Sequence, residues 1–324
     1  MKKALFLFIS MLFCTVSSCQ QKNNKMMTPE QQKNALVQMA KDEAARYNNY
    51  AEKPMYYLQV NKSACRLIVR VNDIPLGFPF IKDEGQSMLY PINDCIFSSG
   101  KQTFSIDVYP MSTDEYLTKE AHINVKLVYL SDKDLPLDST QTLTELNLPL
   151  DIGTRELPFY TDSAIFTAKV PYDYSHVLDN MQDLTKIRNL EEKVVQRYKE
   201  IRQYIVNFDG VGYQKERALG FYGGDMNYLT EDDLIESVIY SLANYFDPDT
   251  DVVDRRVIKI ENYEMLIVGN GKFVLLREKG TMQEVLRVRY FESEEKKAAN
   301  QGTTNWMFIT LCMPKGSDRL EMFY

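Results

Sequence analysis

The 324-residue chain is predicted to fold as α+β: an N-terminal antiparallel β-sandwich followed by helices and a C-terminal antiparallel meander. Three observations predict it. Between Met55 and Val170, short runs alternate apolar and polar residues with period two and are punctuated by Gly, Pro and Asp. Between Tyr174 and Tyr245, apolar residues recur at helical spacing instead. Beyond Met265 the strand texture returns with hairpin turns. Helices and strands segregated along the chain, rather than alternating, are the α+β pattern. With 44% hydrophobic and 26% charged residues, the chain has the composition of an ordinary buried core.

At the N-terminus, Lys2 and Lys3 precede an apolar run from Ala4 to Phe13, and small residues then lead to Cys19. This is the layout of a secretory signal. The run is too short for a spanning helix, which needs about 20 apolar residues. Thr15-Val16-Ser17-Ser18-Cys19 resembles the lipobox of bacterial lipoproteins, with Val16 where Leu is usual. The resemblance implies a signal peptide over 1–18, cleavage before Cys19 and acylation of its thiol. Gln20, rather than Asp, implies outer-membrane sorting, and Gln21–Lys25 lacks an acidic cluster, which favours the periplasmic face. Cleavage removes two lysines and no acid from a chain of net charge −7, so the acyl chains, not charge, would hold the body to an anionic bilayer.

Residues 19–53 read as a lipid tether and a short helix. Thr28-Pro29-Glu30-Gln31 is a capping-box start, and Leu36, Met39, Ala40, Glu43 and Tyr47 form a narrow stripe that predicts a helix over 29–48. Residues 54–172 form the expected β-sandwich domain, with strands at 67–71, 103–109, 123–129 and 164–170. Val69-Arg70-Val71-Asn72-Asp73-Ile74-Pro75, Pro91-Ile92-Asn93 and Ser99-Gly100-Lys101-Gln102-Thr103 resemble part of the galactose-binding-like jelly roll, without the Asn that usually follows its Gly. The resemblance supports a sandwich and not sugar binding. Cys65 and Cys95 lie in this domain, and a bridge between them would close a loop worth about 3–4 kcal/mol in an oxidising compartment.

Residues 173–324 form the expected α+β domain. Ile187, Leu190, Val194, Ile201 and Tyr204 approximate a seam within one helix over 174–207, interrupted by Arg197. Thr230 caps a second helix that starts Glu231-Asp232-Asp233 and ends at Pro248. Met265–Val268, Phe273–Arg277, Val285–Tyr290, Trp306–Leu311 and Leu320–Tyr324 then predict a meander.

Composition narrows the function. Two His exclude a three-imidazole site, the five Cys form no C-x-x-C pair, and a pI near 5.2 disfavours nucleic acid. No G-x-S-x-G, P-loop, H-E-x-x-H or G-x-G-x-x-G occurs, so no catalytic set, metal or cofactor is expected. Asp247, Asp249 and Asp251 mimic an EF-hand loop, but Val252 occupies its Gly position and Ile258 that of its bidentate Glu. The aromatic, Gly-rich stretch from Phe208 to Asp225 is the candidate partner surface, through Phe208, Tyr213, Phe221 and Tyr222. The reading is a lipid-anchored, non-catalytic envelope protein that binds another macromolecule, of inhibitor or immunity type. Its partners would be the membrane, through the N-terminal lipid, and another envelope protein. The alternative is an envelope glycan hydrolase or glycan-binding protein using carboxylates that spacing alone does not identify.

Overall fold

A computed structural model describes residues 27–76, 81–217, 223–248 and 251–323. The fold is α+β, built on four antiparallel sheets. Helix α1 (Pro29–Ala44) begins with the expected capping box, in which the Thr28 side chain accepts from the Gln31 amide and Gln31 reaches back to the Thr28 amide.

Two four-stranded sheets make the sandwich. One has the order β4-β1-β6-β7, with β1 at Met55–Ser63, β4 at Gln86–Pro91, β6 at His122–Leu130 and β7 at Gln141–Asn147. The other has the order β3-β2-β5-β8, with β2 at Arg66–Val71, β3 at Ile74–Pro75, β5 at Ser98–Tyr109 and β8 at Tyr160–Asp173. Period-two alternation turns Leu58 and Val60, Val125 and Leu127, Phe104 and Ile106, and Phe166 and Ala168 into one shared core.

The stretch expected as one helix over 174–207 divides into α2 (Ser175–Asp179) and α3 (Leu190–Val206). Polar groups between them find non-helical partners. Met181 forms a bridge with Pro314, Gln182 donates to Pro314 and Ser317, and the Asp183 carboxylate caps a 3-10 turn by accepting from Thr185. Local side-chain capping of this kind competes with helix propagation. In α3 Leu190, Val194 and Ile201 of the expected seam are buried and Tyr204 partly so, while Ile187 lies before the helix; Arg197 lies among them at 4% exposure, its charge met by Glu216 and Glu200.

The aromatic, Gly-rich stretch is helical on either side of 218–222, as α4 (Gly210–Arg217) and α5 (Gly223–Met226). Its glycines serve close packing. A Cβ on Gly210 would press on the Phe246 ring at 3.2 Å, and one on Gly224 would overlap the Tyr47 hydroxyl. Helix α6 (Glu231–Ser241) carries the expected Thr230 cap and runs into a π-helical turn at Leu242–Phe246.

The C-terminal strands form two sheets rather than one meander. Strand β9 (Asp254–Val257), β12 (Arg287–Phe291) and β13 (Thr303–Trp306) make a three-stranded sheet of order β13-β12-β9. Helix α7 (Glu294–Ala298) interrupts the β12–β13 connection. Strands β10 (Tyr263–Val268), β11 (Phe273–Glu278), β14 (Leu311–Cys312) and β15 (Glu321–Met322) make the other sheet, in that order. Alternation along this last sheet serves two cores. Phe273, Leu275, Cys312 and Phe323 join the sandwich core, while Val274, Leu276, Leu311 and Met322 pack under α3. A third, smaller core forms where Leu36 and Ala40 of α1 meet Val211 of α4 and Leu234 and Val238 of α6.

Candidate functional site

The site begins with a short turn, Asn93–Cys95, fixed from both sides. Buried Asn93 accepts from the Tyr56 amide at 2.8 Å and donates to the Pro54 carbonyl at 2.9 Å. Asn72 donates to the Cys95 carbonyl at 2.8 Å. Asp94 stands between these two anchors. Its Oδ1 is buried without a hydrogen-bond partner, and burial pushes its carboxyl up to about 6, partly offset by hydrogen bonds from Cys95 and from its own backbone.

Opposite Asp94 stand the helices. Helix α5 is held by Asp225, 2% exposed, which accepts from the Asn48 amide and side chain at 3.1 Å each, from the Tyr50 hydroxyl at 3.1 Å and from the Tyr174 hydroxyl. The rings of Tyr50, Tyr172, Tyr174 and Tyr228 meet in edge-on and tilted contacts beside this carboxylate. Helix α4 is fixed from α1 by the Gln32 side chain, which accepts from the Gly210 amide at 3.0 Å. On its other side, Glu216 receives Arg197 of α3 and Arg319. Burial pushes the Glu216 carboxyl up, but Arg319 and Arg197 outweigh it and hold it below its ordinary value.

Between turn and helices lies a cleft of two lobes. The larger, about 340 Å³, is lined by Tyr90, Tyr213, Tyr240, Tyr245, Trp306 and Phe308. The smaller, about 220 Å³, is lined by the polar side chains of Glu43, Gln214 and Asn227. Asp94, Arg217 and Ser237 line both lobes and so form the waist. The Tyr245 hydroxyl donates to the Trp306 carbonyl at 2.9 Å, and the Tyr213 ring rests on Phe246 at 5.2 Å, which immobilises two walls. A cavity of this size, in which six aromatic side chains share the lining with polar and charged ones, has the form of a ligand site.

Of the residues singled out by sequence, Tyr213 lines the larger lobe. Phe208 lies elsewhere: it takes a positive φ of 54° where α3 ends, with the Arg255 guanidinium 4.5 Å above its ring. Cys19, Phe221 and Tyr222 fall outside the described residues. The expected Cys65–Cys95 bridge is not formed; both are buried thiols. Cys65 precedes β2, whereas Cys95 is tied to Asn72, just past that strand's other end. A six-residue strand spans about 20 Å, well beyond the roughly 7 Å that a bridge allows between Cα atoms. His122 opens β6 and His176 lies in α2; neither lines the cleft. In the acidic stretch, Asp254 pairs with Arg256 at 2.7 Å, and no cluster of three metal-ligating side chains occurs among the described residues.

Tyr245 was marked only as an apolar helix position, and Asp94, Arg217, Tyr90, Tyr240 and Trp306 were not marked as site residues by motif or spacing. One signal pointed at the last of these, since Trp306 is the only tryptophan in the chain. No protein-family model, curated protein or solved structure matches this chain.

Proposed function

We propose that this protein is a lipid-anchored, non-catalytic binding protein of the cell envelope, and that a segment of its macromolecular ligand enters the two-lobed cleft. The observation that carries the reading is one cavity lined by six aromatic side chains together with Asp94 and Arg217, groups of opposite charge. Rigid aromatic walls supply contact area at small entropic cost, and charged groups beside them set orientation.

The anchor is tested by metabolic labelling with a clickable fatty acid. Wild type should incorporate label and Cys19→Ala should not; equal labelling of both would overturn acylation there. The cleft is tested through its own tryptophan. A solubilised envelope glycan and peptide fraction should change Trp306 emission in wild type, and Ser237→Phe, which fills the waist, should abolish the response while leaving the circular dichroism spectrum intact. Equal responses from the two proteins would refute binding in the cleft.

A further inference from the structure

We propose that the long edge strand β8 is a docking edge, joined by a cationic segment of a partner protein that adds to it as a further strand. The inference stands apart from the cleft, none of whose lining residues falls between Leu135 and Asp173.

Strands β7 and β8 end their sheets and meet along one side of the sandwich. An edge strand presents unpaired amides and carbonyls, which natural sheets guard with lysine, proline or a bulge. Strand β7 has such a guard, a register irregularity opposite Leu127 and Val128. Strand β8 is guarded only at its far end, where Lys169 and Pro171 stand and the Lys169 amide donates to the Tyr56 hydroxyl at 2.7 Å. From Tyr160 to Ala168 it has no lysine, no proline and no irregularity in its pairing with β5. No described strand lies on its other edge. Within that stretch the Ser163 amide is met locally, by the Asp162 carboxylate at 2.8 Å.

The same side exposes apolar surface. Of the fourteen large apolar side chains exposed among the described residues, six lie between 135 and 165: Leu135, Leu137, Leu143, Leu150, Phe159 and Ile165. Ile165, 59% exposed, stands in the middle of the unguarded stretch, where an apolar residue of an added strand would cover it as a cross-strand pair.

Charge chooses the occupant. Residues 135–165 hold five acids and one cation, and that cation, Arg155, pairs with Asp151 at 2.8 Å. Lys126 of β6 faces Glu145 in register, but no ion pair among the described residues takes up Asp138, Glu156 or Asp162. A second copy would bring these acids against themselves, and an anionic bilayer would be repelled in the same way. A segment whose lysines or arginines alternate with apolar residues gains from the acids, from the exposed apolar side chains and from the open backbone together.

The experiment titrates the purified protein with three nonapeptides: lysine alternating with valine, glutamate alternating with valine, and lysine alone. Calorimetry reads the affinity, and amide hydrogen exchange locates the peptide. The lysine–valine peptide should bind at least tenfold tighter than either control and slow exchange within Thr161–Thr167. Ile165→Lys, with thermal unfolding showing it folded, should cut that affinity tenfold or more. Equal binding of nonalysine, which is bare charge attraction, would overturn the proposal. So would equal binding of the glutamate peptide, protection that falls outside β8, or undiminished binding to Ile165→Lys. Sedimentation equilibrium supplies the last arm: a dimer of the protein alone that Ile165→Lys dissolves would give the edge to a second copy and overturn the assignment as well.

Discussion

Asp94 is a carboxyl that lowers the stability of the fold around it. Burial holds its value near 6, against an ordinary 3.8. The folded state therefore retains a proton that the unfolded state has released between about pH 4 and pH 6, and stability falls as pH rises through that window. Tyr90 and Cys95 from its own neighbourhood, Tyr172 from β8 and Arg217 from α4 are the titratable groups around it. Asp94→Asn should raise the unfolding free energy at pH 7.5 by on the order of 1–3 kcal/mol, with the gain fading at pH 4. Urea titrations of both proteins at the two pH values check this, and a loss of stability at pH 7.5 would mean that the charge is compensated. A destabilising carboxyl at a cleft waist is the kind of strain retained for binding. Nothing in Pro91-Ile92-Asn93-Asp94 announces it, because its burial comes from helices distant in sequence.

Lys62 is the opposite case, a lysine 3% exposed whose ammonium donates to the carbonyls of Cys65, at 3.0 Å, and of Lys82 and Glu84. Burial lowers its pKa. Its position on the inward face of β1 follows from period-two alternation with Leu58 and Val60, so the strand was readable and the three carbonyls were not. Lys62→Met should cost about 2 kcal/mol or more, because those acceptors lose their donor. Thermal unfolding measures the loss, and local hydrogen exchange should quicken at 82–85.

Among the elements, the β11–β12 connection is held by a buried ion pair. Arg277, 2% exposed, donates to Glu284, 1% exposed, and burial pushes the Glu284 carboxyl up to about 7 against the pull of that guanidinium. Glu284→Gln would strand the Arg277 charge and should cost roughly 3–5 kcal/mol, whereas Arg277→Met with Glu284→Leu should cost far less. Chemical denaturation of the single and double variants distinguishes the pair's two halves. Strand β11 was legible as an apolar run, since both its faces are covered; its membership of two cores was not, because an unbroken run hides alternation. Similarly, α3 was legible from its stripe, and Arg197 looked like a flaw in it. Its compensation, Glu216, sits on α4, which two glycines made resemble a loop.

For the molecule as a whole, the joint is Asp225. It gathers donors from the chain after α1 and from the end of β8, so one carboxylate ties α5 to the sandwich. Asp225→Ala should leave the strands intact yet speed hydrogen exchange in Asn48–Tyr50 and α5, and weaken ligand binding about tenfold or more through loss of cleft geometry. Unchanged exchange there would show the joint to be dispensable. The cleft draws on separated stretches between Glu43 and Phe323, so no local pattern encodes it. Sequence could give the strands, the capped helices and an aromatic bias, but the convergence is a product of tertiary packing.

The seating of α1 has a mechanical consequence. Its apolar stripe lies on α4 and α6, the same two helices that supply Tyr213, Arg217, Ser237 and Tyr240 to the cleft. From Cys19 to the Thr28 cap, nine residues reach at most about 30 Å, so an acylated Cys19 would hold the start of α1 within that distance of the bilayer. A pull on that tether would enter the fold at α1, whose apolar stripe bears on the helices of the cleft wall.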